Sequence, residues 1–181
     1  GEDAPPGFVD LPVVPSDRAR IGRRDSAWPR AFFVDGVSPY GDVQEFIGQV
    51  ASAGRPIAAV QSSDREAVEA TRMLVTPSGG PVPARDYTLT VNTSRFAVVA
   101  PRAGVAVLGE TFLPGEFRAT LNGASVPYFR VNHAFKGVVI PSAGEWTVEF
   151  EYRPLRWHLS LIGAGLGAVM LLGLSVQTRR Q

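Results

Sequence analysis

The sequence predicts a mainly β fold: an antiparallel β-sandwich or jelly-roll-like domain, preceded by a small α/β segment and followed by one transmembrane helix. Three observations predict it. Alternating apolar and polar runs recur about every ten residues between residues 86 and 153, with turn residues between them. The last run, 144–152, sends Trp146, Val148, Phe150 and Tyr152 to one face and Thr147, Glu149 and Glu151 to the other. Almost directly after it, residues 159–176 carry no charge, a length of about 27 Å as a helix against the roughly 30 Å of a bilayer core.

Composition narrows the class. The chain has 181 residues, 45% apolar and 19% charged, enough for one domain of ordinary size plus some extra, and its 15 prolines and 19 glycines favour turns over long helices. A formal net charge of +1 gives no field that would draw nucleic acid. With no cysteine, disulfides, thiolate metal sites and cysteine nucleophiles are excluded. All 18 basic residues but Lys136 are arginine, which with the abundant Ala, Val, Gly and Pro suggests a GC-rich bacterial genome. The chain starts at Gly1 and reads as a piece of a longer protein. It shows no signal peptide, so an exported β-domain implies earlier membrane helices upstream.

Taken in order, residues 1–27 carry little periodicity and read as a loop or linker, with 8–14 lying extended. The small α/β segment covers 28–75. Residues 28–34 form a strand, and a helix follows with Ser38 as its cap and Pro39 in its first turn. Val43, Phe46, Ile47 and Val50 give it one apolar stripe and Gly54 ends it. Residues 56–60 read as a short strand. Ser63 and Glu66 have capping-box spacing for a second helix over about 64–72. The breaker-rich stretch 76–85 is the linker.

The sandwich covers 86–153. Tyr87, Leu89 and Val91 alternate with polar residues, and strands follow at 95–100, 104–108, 116–121, 125–131, 135–140 and 145–152. Pro114-Gly115 and Asn122-Gly123 are the turn signals, the second the strongest short-range mark of a hairpin. The expected inward residues are Phe96, Val98, Val107, Phe117, Leu121, Val139, Trp146, Val148 and Phe150. The closing helix covers 157–178, with Trp157 and His158 at one interface and Arg179 and Arg180 past the other end. Gly163 and Gly167, with Ala164 and Ala168, offer a small-residue face to a neighbouring membrane helix.

The search for chemistry is largely negative. His133 and His158 have no acidic or histidine neighbours at metal-ligand spacing, no glycine loop is placed to cradle a phosphate, and no catalytic, cofactor or metal residue is assigned. Glu110, Glu116, Glu145, Glu149 and Glu151 could supply a carboxylate pair, but Glu149 and Glu151 lie on the wet face of a strand. Asn132 and His133 could touch a sugar or phosphate, a turn histidine being the plain alternative. Tyr128 could stack on a sugar ring or pack in the core.

The run Gly109-Glu-Thr-Phe-Leu-Pro-Gly-Glu-Phe-Arg-Ala-Thr-Leu-Asn-Gly123 is followed by Asn132-His-Ala-Phe-Lys-Gly-Val-Val-Ile-Pro141, then by Gly144 through Glu149-Phe-Glu-Tyr-Arg-Pro154 and a membrane helix. Together they resemble the C-terminal end of the bacterial YfhO family, polytopic membrane proteins similar to GT-C glycosyltransferases that use lipid-linked sugars. Trp28-Pro-Arg-Ala-Phe-Phe-Val34 resembles the strand that opens the same extracytoplasmic region. Glu116 departs from the family pattern, which has Trp directly after Pro-Gly; here the aromatic, Phe117, comes one residue later. The resemblance implies an extracytoplasmic accessory domain in the bacterial cell membrane, whose partners are the lipid bilayer, the other membrane helices of the parent protein and a lipid-linked sugar or cell-envelope glycan. The catalytic acid of such enzymes would lie upstream. The alternative is a non-enzymatic, membrane-anchored carbohydrate-binding or assembly module.

Overall fold

The computed structural model describes residues 8–10, 22–24, 27–74, 77–154 and 157–178, with side chains described at 27–74, 77–154, 157 and 160–171. The first part of the chain gives β1 (Phe8–Asp10), β2 (Gly22–Arg24), β3 (Ala31–Val34), β4 (Ser38–Tyr40), α1 (Val43–Ala53), β5 (Ala59–Gln61) and α2 (Arg65–Thr71). The second gives β6 (Val82–Pro83), β7 (Arg85–Leu89), β8 (Thr93–Ala100), β9 (Gly104–Thr111), β10 (Phe117–Leu121) and β11 (Ala124–Val126). It closes with β12 (Phe129–Val131), β13 (Phe135–Ile140), β14 (Gly144–Tyr152) and α3 (Trp157–Thr178).

The chain is mainly β and its large sheets are antiparallel. One five-stranded sheet has the order β11-β10-β14-β8-β7 and the other β12-β13-β9-β3-β6. Phe96, Val98, Leu121, Val148 and Phe150 from the first sheet meet Phe33, Ala106, Leu108, Val138 and Ile140 from the second in a core between them. These residues follow the period-two alternation of each strand. Of the expected inward residues, Phe117 and Trp146 only line this core, half-buried, and the Trp146 indole N–H donates to the carbonyl of Ser142 at 3.2 Å.

The second sheet is covered on both faces. Phe32, Val34, Val105, Val107, Phe129 and Val131 point away from the sandwich interior and pack against Ala58, Val60 and Ala67. Those three belong to a third layer, in which β4 and β5 pair in parallel across the connecting α1 and α2 lies alongside. Val107 and Val139 therefore face this second core and not the space between the sheets. The sandwich also takes in β3, which pairs with β9, and β6, which pairs with β3. The second sheet thus joins strands from both sides of the expected linker, and within the stretch 76–85 Val82 and Pro83 form its edge strand.

Local chemistry explains the other differences. Ser38 does not cap α1: Ser38 to Tyr40 pair with Ala59 to Gln61, and the cap is Asp42, which accepts from the Glu45 N–H at 2.9 Å. Glu45 reaches back to the Gly41 N–H at 2.6 Å. The expected apolar stripe of α1 is not buried; Phe46 makes ring contact with Tyr40 at 5.2 Å, while Ile47 is 52% exposed. Gly54, with φ of 57°, ends the helix as expected. Asp64, not Ser63, caps α2, accepting from the Ala67 N–H. The single strand expected over 125–131 is two strands in different sheets, broken at Pro127, which has no N–H to give a ladder. Asn122 and Gly123, at φ of 47° and 83°, make the hairpin turn between β10 and β11.

The linker expected over 1–27 lies mostly outside the described residues; within it β1 and β2 form an antiparallel ladder. Arg156, Arg179 and Arg180 lie outside the described residues, as does the side chain of His158. The helix α3 has 22 residues, about 33 Å of rise. Among the described residues no helix is long and apolar enough to cross a membrane; the consecutive described side chains of α3, 160–171, cover about 18 Å of helix. Leu161, Ile162, Leu166, Val169 and Met170 are 52–70% exposed. At 100° per residue these five span half of the helix circumference, and with Leu171, 67% exposed, no gap around the helix is wider than about 100°.

Candidate functional site

The three ligand candidates do not form one site. Tyr128 precedes β12 and Asn132 follows it, about 13 Å apart along an extended strand. Asn132 is buried at φ of 51° and is used internally. Its Oδ1 accepts from the Ala59 N–H at 2.7 Å, its Nδ2 donates to the carbonyl of Ile57 at 2.7 Å, and its own N–H donates to the carbonyl of Ala59 at 2.8 Å. The amide thus continues β12 as if it were a backbone partner for the edge of β5. His133, at φ of 67°, is exposed and stacks on Phe46 at 6.4 Å, the turn histidine of the sequence reading. Tyr128 donates its hydroxyl to the carbonyl of Leu113 at 2.6 Å and packs on Phe112, Phe117 and Phe150. Changing Asn132 to Ala leaves the Ala59 N–H and the Ile57 carbonyl without partners and is expected to cost about 1–3 kcal/mol. A denaturant midpoint unchanged by that substitution would show that Asn132 does not hold the third layer to the second sheet.

The densest polar cluster is one that the sequence reading passed over. Glu110 accepts from Tyr87 Oη at 2.7 Å, from Ser94 Oγ at 2.9 and 3.0 Å, from Arg30 Nη2 at 3.2 Å and from Lys136 Nζ at 3.0 Å. Strand parity places it: Glu110 continues the inward series of Ala106 and Leu108, and Lys136 that of Val138 and Ile140. A bulge opposite Phe135 and Lys136 leaves Gly109 and Glu110 out of the regular pairing of β9 and β13, which frees Glu110 to turn toward the lysine. The Lys136 side chain is 1% exposed, with Nζ 3.6 Å from the centre of the Phe117 ring and 5.1 Å from that of Phe150. The aromatic faces supply part of the stabilisation that water would otherwise give the ammonium.

Burial pushes the Glu110 carboxyl up, but Tyr87, Lys136 and Ser94 outweigh it and hold the group at about 2. Burial pulls the Lys136 ammonium below its ordinary value, against the opposing pull of Glu110. A carboxylate held this acidic is a poor proton acceptor at neutral pH. A lysine enclosed by two rings has no route to a ligand. The cluster locks the two sheets together.

A second buried carboxylate, Asp35, clips the 77–80 loop. It accepts from the Ser78 N–H at 3.1 Å, Ser78 Oγ at 3.0 Å and the Gly79 N–H at 2.9 Å, with Arg102 Nε at 3.5 Å. Burial raises its pKa, and those hydrogen bonds with the Arg102 charge bring it below the usual value. Asp35 thus acts as a tie between β3 and the connection to β6.

Two of the surface cavities lie at places where a ligand could sit. One, of about 390 Å³, lies on the outer face of the first sheet and is lined by Arg95, Arg118, Thr120, Thr147 and Glu149 among others. The other, of about 790 Å³, lies where the sandwich meets α3, between Val91, Asn92, Tyr152, Arg153, Pro154 and Trp157. Among the described residues no group of three or more His, Cys, Asp or Glu side chains could hold a metal ion. Compared with family models, with curated proteins and with solved structures, the chain finds no match.

Proposed function

We propose that the chain is an extracytoplasmic accessory domain with the closing membrane helix of a polytopic protein of the YfhO type, held at the outer face of a bacterial membrane where cell-envelope glycoconjugates are built from lipid-linked sugars. One observation carries the membrane half of this reading. Strand β14 passes within four residues into α3, whose described apolar side chains are exposed on several sides. A helix apolar all round belongs in a protein interior or a bilayer. The uncharged run 159–176 is close to the length that a bilayer core requires. The YfhO half rests on the motif resemblance. Its residues are turn formers, strand residues and a buried amide, the parts of a scaffold, and catalysis belongs upstream in the parent protein.

The outer-face cavity favours a second reading, a membrane-anchored carbohydrate-binding module. Arginine, threonine and glutamate side chains around a shallow opening offer both donors and acceptors to sugar hydroxyls.

Flotation tests the first reading. The full chain reconstituted with phospholipid vesicles is expected to float with them and to resist extraction at alkaline pH. The same chain ended at Pro154 is expected to stay in the aqueous fraction and to unfold in one cooperative transition. A full chain left in the aqueous fraction would refute the anchor. Saturable binding of cell-envelope glycan fragments by the shortened chain, lost in Arg118→Ala, would favour the second reading.

A further inference from the structure

We infer that the end of the sandwich nearest α3 is itself a lipid-binding surface, with the tip of the β7–β8 hairpin inserted in the interfacial layer of the bilayer beside the helix; the inference rests on the reading of α3 as a membrane helix.

The two ends of the sandwich differ in chemistry. Register fixes which loops share an end: Thr93 pairs with Glu151 and Phe117 with Tyr152, so the turns at 90–92 and 112–116 lie at the Tyr152 end. Gly144 pairs with Ala100, so the turns at 101–103 and 141–143 lie at the other end. Large apolar side chains are exposed at the first end: Leu89 at 59%, Val91 at 105%, Leu113 at 41%, Tyr152 at 39% and Trp157 at 56%. The turns at the far end read Pro101-Arg-Ala103 and Pro141-Ser-Ala143 and carry no large apolar residue.

Val91 is the sharpest case. Tight turns ordinarily use Gly, Asn, Asp, Pro or Ser, yet a valine stands at this tip with its whole side chain outward. The turn beneath it is well closed, the Thr90 N–H donating to the Thr93 carbonyl at 2.8 Å and the Thr93 N–H to Thr90 Oγ1 at 3.2 Å. The tip is also tied to the root of the helix. The Tyr152 N–H donates to the Asn92 carbonyl at 2.6 Å, and Val91 and Trp157 line one cavity. The five Cα steps from Tyr152 to Trp157 can reach at most about 17 Å, so a bilayer that holds α3 holds this face against its surface.

The residues suit a lipid interface by type. Leu89, Val91 and Leu113 match the acyl boundary, the Tyr152 and Trp157 rings match the headgroup level, and Arg153, 60% exposed while paired with Glu151, can reach a lipid phosphate.

The absence of cysteine gives a direct test. Val91→Cys in the full chain is labelled with a polarity-sensitive fluorophore and reconstituted in vesicles of three parts phosphatidylcholine to one part phosphatidylglycerol, with or without lipids bearing a nitroxide high on the acyl chain. Emission is expected to shift to the blue and to fall at least about twofold with the nitroxide, as for a group some 5–10 Å into the interface. The same label at Ala143→Cys, about 26 Å away along β14, is expected to stay unquenched. A chain that floats but is no more quenched at residue 91 than at residue 143 overturns the insertion and leaves the anchor standing. Blue-shifted emission without nitroxide quenching overturns it in favour of a protein partner at the tip. A chain that does not float overturns the anchor and the insertion together.

Discussion

Replacing Glu110 with alanine is expected to destabilise the domain by about 3–5 kcal/mol, because it strands the Lys136 ammonium between the sheets without its counter-charge. The double change Glu110→Leu with Lys136→Met removes both charges and is expected to recover most of that loss. Denaturant midpoints of the three chains decide the matter, and a single variant within about 1 kcal/mol of the parent would show that the buried charge pair contributes little to the fold. The pH dependence follows from the same geometry. The carboxyl sits at about 2 in the fold against 4.5 as its ordinary value, a difference of about 3 kcal/mol at 1.36 kcal/mol per unit. Since the folded value is the lower, this stability is present above about pH 4.5 and drains away as the pH falls toward 2. Asp35, also held low, loses its contribution in the same direction. Comparison of the parent with Glu110→Gln across this range isolates the Glu110 share.

Gly104→Ala is the other large effect. A methyl group there would collide with the carbonyl oxygen of Val34 and sit 2.5 and 2.6 Å from the Phe33 ring. The carbonyl belongs to the strand paired with β9, so neither neighbour can yield without moving β3. A loss of about 3 kcal/mol or more is expected, read as a lower denaturant midpoint at unchanged slope. Gly48→Ala provides the contrast: nothing lies within 4 Å of its site on the exposed α1, and a gain of about 0.5–1 kcal/mol is expected from the better helix former. A Gly104→Ala chain as stable as the parent would mean that β3 does not pack against β9 in this register.

What the sequence displays depends on how local the cause is. Asn122-Gly123, Gly54 and the alternation of 144–152 act within a few residues, and each lies where the pattern puts it. The layering was legible in principle. Ala31-Phe-Phe-Val34 and Gly104-Val-Ala-Val-Leu108 do not alternate, and unbroken apolar strands mark a sheet covered on both faces. Reading alternation into the second of these, and misplacing the parity of 135–140, sent Val107 and Val139 to the wrong core. Ser38 against Asp42 was a contest between two caps, settled by the pairing of β4 with β5, a contact some twenty residues away that no local rule weighs. The ion pair had a trace in parity alone, since Lys136 shares its face with Val138 and Ile140. Glu110, the lysine's partner 26 residues earlier, required the fold. Asn132 looked like a ligand residue because a polar side chain in a turn ordinarily faces water; its use as a surrogate backbone group has no sequence signature.

The burial of Lys136 also gives the protein an unusual reactivity toward acylating reagents. It is the sole lysine among these 181 residues and its side chain is 1% exposed, so this part of the protein offers such reagents no accessible lysine amine. Each acylation of Lys136 must then wait for the two sheets to part. The rate of modification at that position, in dilute reagent, becomes a clock for the opening of the sandwich, readable by mass.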